Sequence, residues 1–69
     1  MGGIPSMMDS CRGRRILLRM RDGGTIRGTL ADYDMLMNIS LLAAEEGGRD
    51  LGDVLIRGDN IVAVAPDGQ

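Results

Sequence analysis

The apolar residues of this chain recur with a period of two over most of its length. In Arg14–Arg21 (RRILLRMR), Ile16, Leu18 and Met20 face one way while Leu17, Arg19 and Arg21 face the other, the pattern of a strand with one buried face. Asp22-Gly23-Gly24 separates two alternating segments and predicts a tight hairpin. The second strand, Thr25–Asp34 (TIRGTLADYD), carries Ile26, Gly28 and Leu30 on its inner face. The next apolar residue is Tyr33, one position out of phase. That slip, with a glycine in mid-strand, predicts a bulge and a sharp bend. In Met35–Glu46 (MLMNISLLAAEE), Met35, Met37, Ile39 and Leu41 alternate with Leu36, Asn38 and Ser40, which favours a third strand over a helix. Glu45–Asp50 (EEGGRD) reads as a polar hairpin loop and Leu51–Arg57 (LGDVLIR) as a fourth strand. Gly58-Asp59 reads as a tight turn, Asn60–Ala65 (NIVAVA) as a fifth strand, and Pro66-Asp67-Gly68 as the end of the structure.

Five short strands on tight turns predict an all-β fold, a small and strongly bent five-stranded barrel, rather than an α/β layer fold. Ahead of it, Ser6 followed by Asp9 resembles a helix N-cap pattern, so Ser6–Cys11 is expected as one or two helical turns stopped by Gly13, with a frayed tail as the alternative. The expected division is a tail or short helix over 1–13, the barrel over 14–66 and a tail over 67–69. In Ile61–Ala65, and nearly so in Val54–Ile56, apolar residues occupy both faces, where a strand facing solvent would alternate with polar residues. One short chain has too little material to cover both sides, and exposed strand edges are templates for another chain. The economical solution pairs the fourth strand of one copy with the fifth of the next, head to tail, which closes into a ring if the rotation allows. The alternative is a two-sided core strand within a monomer.

Composition sharpens the expectation of association. A chain of 69 residues has a marginal core of its own and usually gains disulfides, a metal or partner subunits. Cys11 is the only cysteine and there is no histidine, which excludes an intrachain disulfide and leaves almost nothing for zinc. Tyr33 is the only aromatic residue, so large rings do not supply the missing buried area. No cofactor is expected. No stretch approaches the roughly 20 apolar residues of a membrane-spanning helix, and the N-terminus lacks a signal-peptide pattern. With one unpaired thiol, a cytoplasmic protein is expected. The net charge of −2 argues against nonspecific coating of duplex nucleic acid. All eight basic residues are arginine, whose planar fork suits phosphate and whose flat face stacks on bases; codon bias explains the same count.

These segments also resemble the two sequence motifs of the Sm/LSm family. The first motif is matched by LLRMRDGGTIRGTLADYDMLMNISL, with Asp22, Gly23, Ile26, Gly28, Leu30, Tyr33, Asp34, Met37 and Asn38 in register. The second is matched by LGDVLIRGDNIVAV, with Arg57, Gly58, Ile61 and Val64. The likeness covers roughly Arg14 to Pro66 and is closer to archaeal Sm-like proteins than to the spliceosomal ones or to the bacterial relative Hfq. It implies a short N-terminal helix on a bent five-stranded barrel of the Sm fold, in homo-oligomeric rings of six or seven subunits, seven favoured.

The same resemblance implies a site for uridine-rich single-stranded RNA at the central pore. Asn38 would hydrogen-bond the uracil edge, since an amide offers both donor and acceptor. Asp34 would orient that amide, and Arg57 would stack its guanidinium on the base. Gly58 would allow close backbone approach, and Asp59 would accept from the base or brace Arg57. The family commonly carries histidine or an aromatic ring two positions before the asparagine; Leu36 stands there and implies weaker or less uridine-selective binding. Read without the family, Asp34 and Asn38 equally suit a tight turn, and Arg57 a surface or interface position. Arg12, Arg14 and Arg15 form either an RNA-guiding basic patch or a solvated cluster.

The function implied is RNA processing, RNA chaperoning or ribonucleoprotein scaffolding, with RNA-processing proteins as further partners. The rival readings are a ring-shaped protein-interaction adaptor with weak RNA affinity and a monomeric OB-type or SH3-like module. An enzyme is not expected, because no nucleophile constellation surrounds Cys11 or the serines. Gly23-Gly24 lies between strands rather than before a helix, as a phosphate loop would require.

Overall fold

The computed structural model describes residues 4–67, and the ends of the expected tails, 1–3 and 68–69, lie outside the described residues. A helix, α1 (Ile4–Cys11), precedes five strands: β1 (Arg15–Met20), β2 (Thr25–Tyr33), β3 (Ile39–Glu46), β4 (Arg49–Ile56) and β5 (Ile61–Pro66). The helix begins two residues before the expected Ser6, which therefore lies inside it. All four strand pairings are antiparallel, and the strands follow the order β4-β3-β2-β1-β5.

That order corrects the expectation of a barrel in one respect. The sheet bends strongly, but within one chain it stays open, with β4 and β5 as its two edges. The bend is built from slips of register. In β2 against β3 the register shifts between Arg27 and Thr29 and again between Leu30 and Asp32, at the expected position of the bulge. In β3 against β4 it shifts between Leu41 and Ala44. There Ala43 takes φ 50°, a left-handed conformation that costs a residue with a Cβ. Its N–H donates to Asp53 Oδ1 at 3.1 Å, and its carbonyl accepts from Arg15 Nη1 at 3.1 Å. Both backbone groups freed by the bulge are thereby satisfied.

The concave side of the bent sheet holds the core. Ile16 and Leu18 of β1, Ile26 and Leu30 of β2, and Ile39, Leu41 and Ala44 of β3 are buried there, closed by Met8 and Cys11 of α1. The period-two pattern thus reports the buried face correctly for β1 and β2.

Two expected boundaries differ. Glu45, Glu46, Arg49 and Asp50 belong to β3 and β4, and only Gly47-Gly48 turn between them, at φ 59° and 82°. A two-residue hairpin turn with positive φ at both positions needs no longer loop, and an exposed hairpin tip is polar whether or not it is paired. Residues 35–38 are not strand: β3 starts at Ile39. The cause is Asp34, whose carboxylate competes with the ladder for backbone donors.

Candidate RNA-binding site

Asp34 closes the loop that follows β2. Its Oδ1 accepts the N–H of Leu36 at 2.9 Å and that of Asn38 at 3.0 Å, while its Oδ2 accepts from Asn38 Nδ2 at 3.0 Å. Its backbone adds two more bonds, Asp34 N to Asn38 O at 3.2 Å and Met37 N to Asp34 O at 2.9 Å. The asparagine side chain, then its backbone and the Leu36 N–H, hold the Asp34 carboxyl below the usual carboxylate range. Desolvation and the charge of Asp32 push the other way. Met37 completes the loop at φ 62°, a left-handed conformation uncommon for a residue with a side chain. Held this way, the loop projects Met35 and Leu36 outward, 97% and 77% exposed. Their alternation in the sequence mimics a strand that the Asp34 network prevents.

The second loop follows β4. Arg57 is extended, and Gly58–Asn60 form one short 3₁₀ turn in place of the expected two-residue turn. The two loops meet through Asn38, whose Oδ1 accepts the Gly58 N–H at 2.8 Å. Gly58 is required at this contact, since a Cβ there would collide with the Leu36 carbonyl oxygen and stand 2.9 Å from that of Met37. Arg57 and Asp59 are exposed, with Nη2 to Oδ2 at 3.7 Å, a loose ion pair.

All six residues expected at the site, Asp34, Leu36, Asn38, Arg57, Gly58 and Asp59, fall on these two adjoining loops. Asn38 is the joint between them. An amide carries two donors and two lone pairs; Asp34 takes one donor and Gly58 one lone pair. One N–H and one lone pair of Asn38 remain, and their order is fixed, because a flipped amide would set oxygen against the Asp34 carboxylate and N–H against the Gly58 N–H. Such a group reads a planar edge that carries an acceptor beside a donor.

Arg12, Arg14 and Arg15, read as either a basic patch or a solvated charge cluster, are paired with carboxylates at two of the three positions. Arg12 Nη1 pairs with Asp32 at 2.8 Å, and the guanidinium lies 4.9 Å from the Tyr33 ring centroid. Arg15 Nη2 pairs with Glu45 at 3.1 Å. Arg14 alone of the three makes no ion pair among the described residues. Tyr33 donates its hydroxyl to Asp9 at 2.8 Å, which ties the end of β2 to α1. Among the described residues, no three His, Cys, Asp or Glu side chains are grouped to hold a metal ion. No helix of the described residues is long and apolar enough to cross a membrane.

A helix-capped, strongly bent open sheet, with an asparagine joining the loops after its second and fourth strands, defines a class of small β-proteins of the Sm fold. Residues 6–66 match the family model of the LSM domain, and the chain belongs to that family. It is 46% identical over 56 residues to an Sm-like snRNP protein of Archaeoglobus fulgidus, a match covering 74% of this chain and 73% of that protein. Among solved structures, the SmAP1 heptamer of P. aerophilum superposes with a TM-score of 0.91 at 27% identity, covering 100% of this chain and 99% of that one. The Sm protein of Pyrococcus abyssii, solved in complex with a uridine heptamer, superposes with a TM-score of 0.89 at 28% identity, covering 94% and 99%. The resemblance read from the two motifs is borne out, including its archaeal leaning.

Proposed function

We propose that copies of this chain form a closed ring, seven subunits favoured, that binds uridine-rich single-stranded RNA through the loops joined by Asn38. The observation that carries this reading is the doubly anchored Asn38 amide, 3.0 Å from Asp34 and 2.8 Å from the Gly58 N–H. Its remaining N–H and lone pair match the adjacent carbonyl and N–H of uracil. Arg57, exposed on the next loop, supplies the stacking plane, and base stacking is worth about 1–3 kcal/mol. Asp59 lies loosely beside that arginine at 3.7 Å, and Leu36 gives apolar contact on the other side of the base. The uridine heptamer bound by the Pyrococcus abyssii protein supports the choice of ligand.

Ring closure is supported by the open sheet. Among the described residues β4 and β5 are each paired on one side only, with β3 and β1, and they carry Leu55 and Val62, 67% and 62% exposed. Pairing β4 of one copy with β5 of the next covers both. The heptameric assembly of the P. aerophilum protein supports the subunit count. Such a ring repeats a weak single-base site around one pore, and avidity raises the affinity. Its role is that of an RNA chaperone, a ribonucleoprotein scaffold or a member of an RNA-processing complex in the cytoplasm, by binding rather than catalysis.

Native mass spectrometry tests the ring, and titration with oligo-U against oligo-A tests the site. A monomer at micromolar concentration would sink the first part. The second reading, a protein-interaction adaptor with weak RNA affinity, is favoured by one observation, the outward projection of Met35 and Leu36. Equal and negligible binding of both oligonucleotides by an intact ring would select it.

A further inference from the structure

The turn that presents Arg57 is held from two sides. Asn38 grips it at Gly58. On the far side stands Arg21, outside both loops and 38 positions before Asp59 in the chain. Its Nε and Nη2 both donate to the Asp59 carbonyl oxygen, at 3.0 and 2.9 Å. Its backbone N–H donates to the Asn60 carbonyl at 2.8 Å. Arg21 is itself anchored by the hairpin it opens, where Met20 N donates to Gly24 O at 2.8 Å and Gly24 N to Asp22 Oδ1 at 2.9 Å.

Arg57, by contrast, has little to fix it. Its side chain is exposed and makes only the 3.7 Å approach to Asp59. Its direction is therefore set by the backbone of the turn, closed by Asn60 N donating to Arg57 O at 3.1 Å. We propose that Arg21 is a positioning residue for RNA binding: its forked bond to the Asp59 carbonyl holds the 58–60 turn so that Arg57 meets the base, without Arg21 touching RNA. Two donors converging on one oxygen fix an angle as well as a distance, which a single ammonium does not. This inference rests on the proposed RNA site and names a residue that supports it from outside.

The test uses the assembled protein with Arg21→Ala, Arg21→Lys, Arg57→Ala, Asn38→Ala and the double variant Arg21→Ala/Arg57→Ala. Oligo-U affinity is measured over a range of salt, and hydrogen exchange is followed over residues 57–61. Arg21→Ala is expected to weaken oligo-U binding roughly 3–10-fold, the loss of one or two hydrogen bonds, and Arg21→Lys to recover part of it. The salt dependence should keep its slope, whereas loss of a direct phosphate contact lowers it by about 0.7. In the Arg57→Ala background the Arg21 substitution should cost nothing further, and exchange at 57–61 should quicken in Arg21→Ala before RNA is added. Wild-type affinity in Arg21→Ala, a reduced salt slope, or losses that multiply in the double variant would each overturn the proposal and leave the site standing. If neither Arg57→Ala nor Asn38→Ala alters oligo-U binding, the site itself falls and takes the proposal with it.

Discussion

Asn38 and Gly58, 20 residues apart, are joined by a single hydrogen bond from the glycine N–H to the asparagine side-chain oxygen Oδ1 at 2.8 Å. That bond turns two loops into one surface and fixes which way the asparagine amide faces. It depends on the missing Cβ of Gly58, because the Leu36 and Met37 carbonyls occupy the space a side chain would need. Gly58→Ala should therefore push the loops apart. Overpacking of this kind costs about 1–3 kcal/mol, so thermal unfolding should fall by several degrees and oligo-U binding should weaken. Wild-type stability and affinity in this variant would show that the loops are not in contact.

The left-handed Ala43 makes a prediction of the opposite sign. Its φ of 50° costs a residue with a Cβ, and glycine escapes that cost while losing more entropy on folding. The balance favours Ala43→Gly by roughly 0.5–1 kcal/mol, provided the bonds to Asp53 and Arg15 persist. Chemical denaturation reads the difference. A clear loss of stability would mean that the bend is held in some other way.

Acid should open the site. The side-chain N–H of Asn38, then the backbone N–H groups of Asn38 and Leu36, lower the Asp34 pKa in the folded protein. Asp32 is lowered chiefly by its hydrogen bond from Arg12. A carboxylate lowered on folding contributes stability that is complete above its unfolded value and is lost as pH falls through its folded value. Binding of oligo-U should thus be flat from neutral pH to about 5 and decline below about 4. Carbon-detected titration of the Asp34 carboxyl gives the direct check: a midpoint at or above the ordinary aspartate value contradicts the network.

Much of this was legible because half-buried strands advertise themselves by alternation. Alternation marks Ile16, Leu18, Ile26 and Leu30 as inward-facing, as they are, and the slip at Tyr33 lies next to a real irregularity of register. Met35–Asn38 mislead for the same reason, since Met35 and Met37 alternate with Leu36 and Asn38 in the sequence while the Asp34 carboxylate takes the N–H groups of Leu36 and Asn38. The polar EEGGRD stretch misled in reverse, because an exposed hairpin has polar strand ends. Asp34, Asn38 and Arg57 are named as site candidates only through the family resemblance of the two motifs. The bond between Asn38 and Gly58 could not be read from the sequence, nor could the pairing of Arg12 with Asp32 and of Arg15 with Glu45. Each depends on strands distant in sequence that only the bent sheet brings together.

Leu36 offers a gain of function. It stands exposed two residues before Asn38, with no ring to stack on a base. Leu36→Phe should leave the fold intact and tighten oligo-U binding by about 1 kcal/mol or more per site, the lower end of base–aromatic stacking. Unchanged affinity in a correctly assembled variant would mean that residue 36 does not face the base.

The central claim, that the Asn38 joint reads uridine, is tested most directly by titrating the assembled protein with oligo-U and oligo-A, before and after Asn38→Ala and Arg57→Ala. The expected result is a clear preference for oligo-U, about tenfold or more, that collapses in Asn38→Ala and is accompanied by a general loss of affinity in Arg57→Ala. Equal affinity for the two oligonucleotides, or a preference that survives Asn38→Ala, would contradict it.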